Sequence, residues 1–377
     1  MKYFFRIIKL LLFIIVPLLV EAQISIDGEA FPVTGDTFLL STDRLPHQII
    51  LGPPGAAKTW DFTTLQAPYA QRSLVLPYEN RSNYKELDAA EAVLTGFSDY
   101  ESYIIFQENS ISEVGRRVPN PLQKGETLDA FFSTPKPMYE TLKFDDKKSA
   151  EYQLIAPFPT ERYAYAKGNE WASQLTDIRI HWKIKVDKHV DAWGLLQIPF
   201  ERHQAIREKV IEKIIPTIEI KNRKGVWVNA RKEGINCPIL KAQTNEYYIY
   251  WSNKENRPPA IVFVTPGTTQ IQKIHYKAFE FGSRIISEAP RGSDVIAYPN
   301  PAFDFVRFDF QNLPPGDYLV DIYNILGVRL QSFDVIVDGY TTSEFDLSDL
   351  KKGTYIYRVT NDKKRTITSK RLIIFQP

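Results

Sequence analysis

The chain has 377 residues, of which 44% are hydrophobic and 13% aromatic, enough to fill sizeable cores in roughly two or three domains. Its 20 Tyr and 23 Phe favour pleated, half-buried strands. The net charge of +2 creates no strong field for nucleic acid or acidic membrane, so neither is expected as a partner. The single cysteine, Cys237, excludes an intramolecular disulfide, and its apolar neighbours predict a small buried side chain.

The first 22 residues have the features of a secretory signal peptide. Lys2, Arg6 and Lys9 form a positive leader, and an apolar run from Leu10 to Val20 follows. The run is short for a membrane span, and Val20-Glu21-Ala22 provides an acceptable cleavage site. Residues 1–22 are therefore predicted to be a signal peptide, with a retained membrane anchor as the alternative. The absence of a cysteine after the run argues against a lipoprotein.

Residues 23–286 are predicted to form a β-rich secreted ectodomain. The segment Thr176–Val186 alternates polar and apolar residues, which predicts a long strand with one wet face. Arg179, Lys183 and Lys185 lie on that face and are interpreted as solvated. The expected fold class is all-β, with a large antiparallel central region of one or two sandwich-like units divided near residues 160–170. A linker is predicted at residues 287–294.

Two segments of the ectodomain have ambiguous patterns. Residues 84–94, "YKELDAAEAVL", suggest a short helix. The segment Glu201–Ile214 fits a helix through Ile206, Val210 and Ile214, but the same residues share one face of a strand. A strand is weakly favoured there because strands surround the segment and Pro216 is expected to end it.

The stretch "GPPGAAKTW", Gly52 to Trp60, nearly matches a phosphate-binding loop. Ala57, however, stands where such a loop needs its second glycine, and the residues after Thr59 alternate as in a strand instead of opening a helix. The sequence therefore predicts a Pro-Pro-Gly turn that leads into a strand with Trp60 and Phe62 in the core. No nucleotide is expected as a ligand.

Pairs of metal-ligating or acidic side chains occur at several places. His189 with Asp191, and Glu201 with His203, are two residues apart, so each pair would share one face of a strand and could hold a metal. Two ligands do not make a site, and the 45 acidic residues produce other close pairs by chance. These other pairs are Asp145 with Asp146 and Asp99 with Glu101. No catalytic residue, cofactor or metal site is assigned.

The six tryptophans offer a second kind of site, because exposed indoles can stack on sugars. They are Trp60, Trp171, Trp182, Trp193, Trp227 and Trp251. Most large aromatic residues of a β-sandwich lie in its core, so only a minority are expected to be exposed. An extracellular glycan or surface partner remains a candidate.

Residues 295–377 read as short strands separated by turns. Phe305 to Phe310 largely alternates, Tyr318 to Tyr323 forms a further strand, and Asn324 to Gly327 is a turn. Turn signals at this spacing predict a small Ig-like β-sandwich.

The motifs of this tail follow one another in a specific order. They are Tyr298-Pro299-Asn300-Pro301, Gly316 with Tyr318, Gly327 of "YNILG", Gly353 with Tyr355, and the basic end with Lys370 and Arg371. Together they resemble the C-terminal sorting domain of type IX secretion cargo. The resemblance implies that the tail is an address read by an outer-membrane secretion translocon. An ordinary Ig-like binding domain is the alternative.

A weaker resemblance concerns the ectodomain. "GDTF" at Gly35, "GPPGAAKTWDFTTL" at Gly52 and "DAWGLLQIPF" at Asp191 look like pieces of β-rich ectodomains that precede such tails. That group carries no assigned activity, so the resemblance implies architecture and location alone.

These observations favour a protein that the type IX system exports to the cell surface or medium. Its ectodomain is expected to be non-catalytic, with an adhesive or glycan-binding role. One alternative is a secreted hydrolase whose site is assembled from distant residues. Another is a component of the secretion or motility apparatus.

Overall fold

The computed structural model describes residues 24–79, 84–95, 100–122, 125–159, 177–222, 224–235, 237–278 and 292–375. The predicted signal peptide, the proposed boundary near 160–170, Asp99, Trp171 and most of the predicted linker lie outside these residues. Apart from two short 3₁₀ turns, all the regular secondary structure of the described residues is strand, which confirms the all-β prediction.

Twenty-one strands and two 3₁₀ turns follow one another along the described residues. The turns are Gly28–Ala30 and Lys85–Leu87. No helix among these residues has the length and apolarity needed to cross a membrane. The strands are β1 (Thr37–Asp43), β2 (Gly55–Asp61), β3 (Ala70–Pro77), β4 (Ala92–Leu94), β5 (Glu101–Gln107), β6 (Ser110–Pro119), β7 (Thr127–Glu140), β8 (Lys147–Pro159), β9 (Asp177–Ile198), β10 (Glu201–Lys221), β11 (Trp227–Asn229), β12 (Gln243–Trp251), β13 (Ala260–Val264), β14 (Ile271–Lys277), β15 (Asp294–Tyr298), β16 (Phe305–Gln311), β17 (Gly316–Asn324), β18 (Arg329–Val337), β19 (Thr341–Asp346), β20 (Gly353–Asn361) and β21 (Thr366–Ile374).

The ectodomain is one closed, barrel-like sheet. Twelve antiparallel strands follow the order β10-β12-β13-β14-β1-β3-β4-β5-β6-β7-β8-β9, and the pairing of β9 with β10 closes the ring. The short strand β11 adds to β10, and β2 lies parallel to β9. The expectation of sandwich-like units is therefore wrong for this region.

The length of the β9–β10 hairpin explains why the sheet closes. These strands contain 22 and 21 residues and pair with each other along almost their whole length. The other edge of β9 is occupied by β8 and then β2, while the other edge of β10 holds β12 and then β11. Neighbours on both edges let one hairpin join the two ends of the sheet. Strands β8 and β9, on either side of the boundary proposed near 160–170, pair with each other.

The alternating pattern of β9 is confirmed. Ile178, Ile180 and Ile184 are buried, whereas Lys183 and Lys185 are exposed, as a strand with one wet face requires. Arg179 is only half-buried, because it pairs with a glutamate of β10.

The two ambiguous segments have different outcomes. The preference for a strand at Glu201–Ile214 is confirmed by β10, but Pro216 does not end that strand, which continues to Lys221 with Pro216 opposite Trp182. The helix expected at residues 84–94 is wrong: a single 3₁₀ turn leads into the short strand β4. Leu87, one of the apolar residues that suggested a helix, is buried although it lies in the 3₁₀ turn.

The Gly52–Trp60 stretch forms the predicted turn and strand. Trp60 and Phe62 are both buried and pack edge-on against Tyr250, and the indole N–H of Trp60 donates to the carbonyl of Leu51 at 3.0 Å. β2 lies so close to β9 that a Cβ on Gly194 would stand 2.0 Å from the carbonyl oxygen of Lys58. Glycine is therefore required at that crossing.

The tail folds around a core of its own. A three-stranded sheet, β15-β16-β19, and a four-stranded sheet, β18-β17-β20-β21, are both antiparallel and share one hydrophobic cluster. Val306, Phe308 and Phe310 of β16 are fully buried in that cluster. Each such side chain stabilises the tail by about 1.5–3 kcal/mol relative to an exposed one.

Candidate functional site

The Tyr298–Pro301 motif lies where the first strand of the tail meets its last. Asn300 joins them, because its side-chain amide donates to the carbonyl of Arg371 at 2.8 Å and its Oδ1 accepts from the backbone N–H of Ile373 at 2.9 Å. Tyr298 is buried at the end of β15, and Pro301 is half-buried. The motif therefore fastens β21 to the end of β15.

The other predicted motif residues occupy turns and strand starts of the four-stranded sheet. Gly316 and Gly353 begin β17 and β20, and Gly327, with φ of 81°, lies in the turn between β17 and β18. The hydroxyls of Tyr318 and Tyr355 each donate to a carbonyl four residues earlier, at 3.0 and 2.6 Å. These five residues lie at the strand starts and turns of the four-stranded sheet, where they have a structural role.

The basic end of the tail is exposed. Lys370 forms an ion pair with Asp294 at 2.5 Å, and the side chain of Arg371 faces solvent. These two residues are exposed cations that a partner could contact.

The polar face of β16 contacts the ectodomain. Arg307, Asp309 and Gln311, which we call the docking face, alternate with the apolar core residues and yet are buried. Arg307 Nη1 lies 3.1 and 3.2 Å from the two carboxylate oxygens of Asp43, at the end of β1, and both side chains are no more than 1% exposed. A buried ion pair therefore joins the tail to the ectodomain.

A second contact of the docking face lies beside this pair. Arg44 Nε is 4.0 Å from Oδ1 of Asp309, and its guanidinium stands 4.5 Å from the ring centroid of Tyr340. Burial, with the nearby charge of Asp309, raises the pKa of Tyr69 in the ectodomain. Sequence reasoning missed this contact, although regular charges inside an aromatic strand were a signal for it.

The ectodomain carries an open cleft of about 730 Å³. Its walls come from β1, the first residues of β3, the end of β14 and the 254–258 loop. Arg72, Lys254, Arg257 and Lys277 line it, with Phe38 on one side. The Arg257 guanidinium stands 4.5 Å from the ring centroid of Phe38.

One predicted pair of metal-ligating residues gains a third member at the edge of the cleft. Glu201 and His203 of β10 meet Glu255 of the β12–β13 loop, and their ligand atoms lie within 4.8 Å of one another. The Lys277 ammonium bridges the carboxylates, 3.2 Å from Glu201 and 2.8 Å from Glu255. Since Glu255 and Lys277 also line the cleft, the cluster and the cleft share a wall.

The other predicted pair is not brought together. Asp191 is the extra residue where the register of β9 and β10 shifts, and it forms a bidentate pair with Arg207 at 2.7 and 3.0 Å. His189 instead contacts the exposed Asp145 at 3.0 Å. The β-bulge thus gives His189 and Asp191 different partners.

Several partly buried charges of the ectodomain are paired with each other. Lys136 and Glu212 lie 2.8 Å apart, and Lys188 contacts both Glu140 and Glu208, at 3.1 and 3.7 Å. Burial alone would raise the pKa of Glu212, but Lys136 outweighs it and the pKa is lowered. Because each charge has a counter-charge, these pairs are not a candidate site.

None of the five described tryptophans is fully exposed. Trp60 and Trp251 are buried, and the indole N–H of Trp251 donates to Glu208 at 3.0 Å. Trp182, Trp193 and Trp227 are half-buried, and Trp227 is stacked beneath Arg179. These five residues therefore provide no fully exposed indole on which a sugar could stack.

The two-sheet tail and its motifs define an exported protein with a C-terminal address. Residues 296–375 match the family model described as "Secretion system C-terminal sorting domain". The chain is therefore a cargo protein of the type IX secretion system, directed across the outer membrane to the cell surface or extracellular space.

The remaining comparisons add little. A solved structure described as dimeric latent PorU from Porphyromonas gingivalis aligns with 12% identity and a TM-score of 0.21. The alignment covers 93% of this chain but 30% of that one, and so weak a likeness carries no argument. A search of curated proteins finds no match.

Proposed function

We propose that the exported ectodomain is a non-catalytic glycan-binding protein and that its ligand lies in the cleft. The main support is the size of the cleft. Its open volume of about 730 Å³ is enough for two or three sugar rings. Its lining combines charged groups with one aromatic ring, which suits a polar ligand with apolar ring faces.

The charges of the lining favour an acidic glycan. The lining contains four cations, Arg72, Lys254, Arg257 and Lys277, and two carboxylates, Asp36 and Glu255. Lys277 already pairs with Glu255, so the other three cations outnumber the remaining carboxylate. An arginine fork pairs with a sugar carboxylate through two parallel hydrogen bonds. Uronic-acid polymers are thus the class of ligand best matched to this site.

The test is calorimetric titration of the full chain with an oligogalacturonide and with a neutral oligosaccharide of equal length. We expect the acidic sugar to bind and Arg72→Ala to weaken its binding about tenfold, the loss of one charge-assisted contact. Arg365→Ala removes an exposed arginine of the tail and should leave the affinity unchanged. Binding that is equal for both sugars, or indifferent to Arg72→Ala, would overturn the acidic-glycan assignment.

A secreted hydrolase is the second candidate, favoured by His203 and two carboxylates beside the cleft. The bridging Lys277 argues against it, because its ammonium pairs with both carboxylates and leaves neither of them free to act on a substrate. Turnover of a bound glycan by the full chain, lost in Glu255→Gln, would establish the hydrolase instead.

A further inference from the structure

We propose that Glu201, His203 and Glu255 form a binding site for a zinc-like divalent metal ion, and that Lys277 is the resident counter-ion which the metal displaces. The proposal is independent of the glycan assignment. It rests on the donor set, on the burial of an unpartnered histidine and on the position of the lysine.

The donor set combines residues that are distant in sequence. Glu201 and His203 project from one face at the start of β10, and Glu255 reaches them from a loop about fifty residues later. One imidazole nitrogen and two carboxylates form a mixed N/O set, which suits zinc, cobalt or nickel better than calcium or magnesium. Ligand atoms within 4.8 Å of one another need only small side-chain rotations to reach bonds of about 2.0–2.2 Å.

His203 is an independent indication of a ligand. Its side chain is fully buried, and neither ring nitrogen makes a hydrogen bond to any residue that the structure describes. Nε2 points into the cluster, 3.0 Å from Oε2 of Glu201 but misaligned for a hydrogen bond. A buried polar atom without a partner is destabilising, and a metal bond would satisfy it.

The position of Lys277 shows that the site selects a cation. Its ammonium occupies the point where the two carboxylates converge, 3.2 and 2.8 Å away. An ammonium offers one positive charge and only hydrogen bonds, whereas a divalent ion offers two charges and direct bonds to all three ligands. Lys277 should therefore compete with the metal, and its removal should strengthen metal binding.

The experiment titrates the EDTA-treated full chain with Co²⁺, following visible absorption, and with Zn²⁺ by calorimetry. We expect one equivalent to bind, with the intense absorption of a four-coordinate cobalt site. His203→Gln and the isosteric Glu255→Gln should each weaken binding at least tenfold. Lys277→Met should strengthen it about tenfold or more, because the competing charge is gone.

His189→Gln is the matched control, since His189 lies on the neighbouring strand and its ring pairs with the exposed Asp145 carboxylate, outside the cluster. It should leave metal binding unchanged. Circular dichroism establishes that each variant is folded, and Glu255→Gln serves if His203→Gln is not. Absence of cobalt binding, unchanged binding in a folded Glu255→Gln, or weaker binding in a folded Lys277→Met would each overturn the proposal.

Discussion

Replacing Arg307 by methionine should loosen the contact between tail and ectodomain. The substitution removes the guanidinium that lies 3.1 Å from Asp43 and leaves that carboxylate buried without a cation. Two backbone N–H groups, of Leu45 and Gln66, still donate to Asp43, each at 2.9 Å.

The magnitude is set by burial on both sides of the pair. Breaking a buried ion pair by removing one partner costs about 3–5 kcal/mol. We expect Arg307→Met to lower the free energy of unfolding by about 3 kcal/mol at pH 7. This is the lower end of the range, because the two backbone donors to Asp43 remain. The outer contact of Arg307 with the half-exposed Glu344 adds little.

The loss of folding stability in Arg307→Met, called the deficit below, should depend on pH. Burial already raises the pKa of Asp43, and Arg307 opposes that rise. Without Arg307 the folded-state pKa rises further above the unfolded value. A group shifted in this direction loses its stabilising contribution as pH rises through the folded-state pKa. The deficit of Arg307→Met is therefore largest at pH 7 and shrinks towards pH 4.

Urea unfolding followed by two signals measures this effect. All six tryptophans precede residue 286, so fluorescence reports the ectodomain alone, whereas far-ultraviolet circular dichroism reports both domains. Arg358→Met is the matched control, because Arg358 is exposed on the other sheet and should change stability by no more than about 0.5 kcal/mol. An equal effect of the two substitutions, or a deficit that persists at pH 4, would refute the buried-pair reasoning.

Two further predictions concern the ectodomain. Gly194→Ala should lower the stability measured by thermal unfolding by about 3 kcal/mol or more, because the added Cβ would meet the Lys58 backbone at 2.0–2.6 Å. Gly292→Ala is the control and should be nearly neutral, because the space around Gly292 is open. A near-neutral Gly194→Ala would contradict the close approach of β2 to β9. Burial raises the pKa of the Cys237 thiol, so it should react with Ellman's reagent only slowly until urea unfolds the chain. Immediate reaction of the native protein would show that the thiol is accessible.

The sequence predicted individual strands better than their closure. The alternation of β9 reported its buried face directly, since period-two patterns reflect which side of a strand meets the core. Closure depends on which distant edges pair, and pairing carries little local signal. Pro216 was misjudged for a related reason: a proline can remain inside a long strand where the loss of one N–H donor is tolerated.

Site geometry was predictable only where it was local. Glu201 and His203 share a face because they are two residues apart, but Glu255 and Lys277 arrive through tertiary folding. The same spacing failed at His189 and Asp191, where a β-bulge intervenes. In β16 the alternation correctly separated the apolar face from the polar face. It did not predict that the polar face is buried, because that face meets the ectodomain instead of water.

The docking face also determines how the tail would leave after a cut in the chain between the two domains. While the chain is intact, the tail meets the ectodomain at an effective concentration of about millimolar. A cut would change this first-order association into a bimolecular one without altering any contact. Release of the tail would then depend on dilution and on the strength of the Arg307–Asp43 pair, so cleavage and departure of the address would be separate events in time.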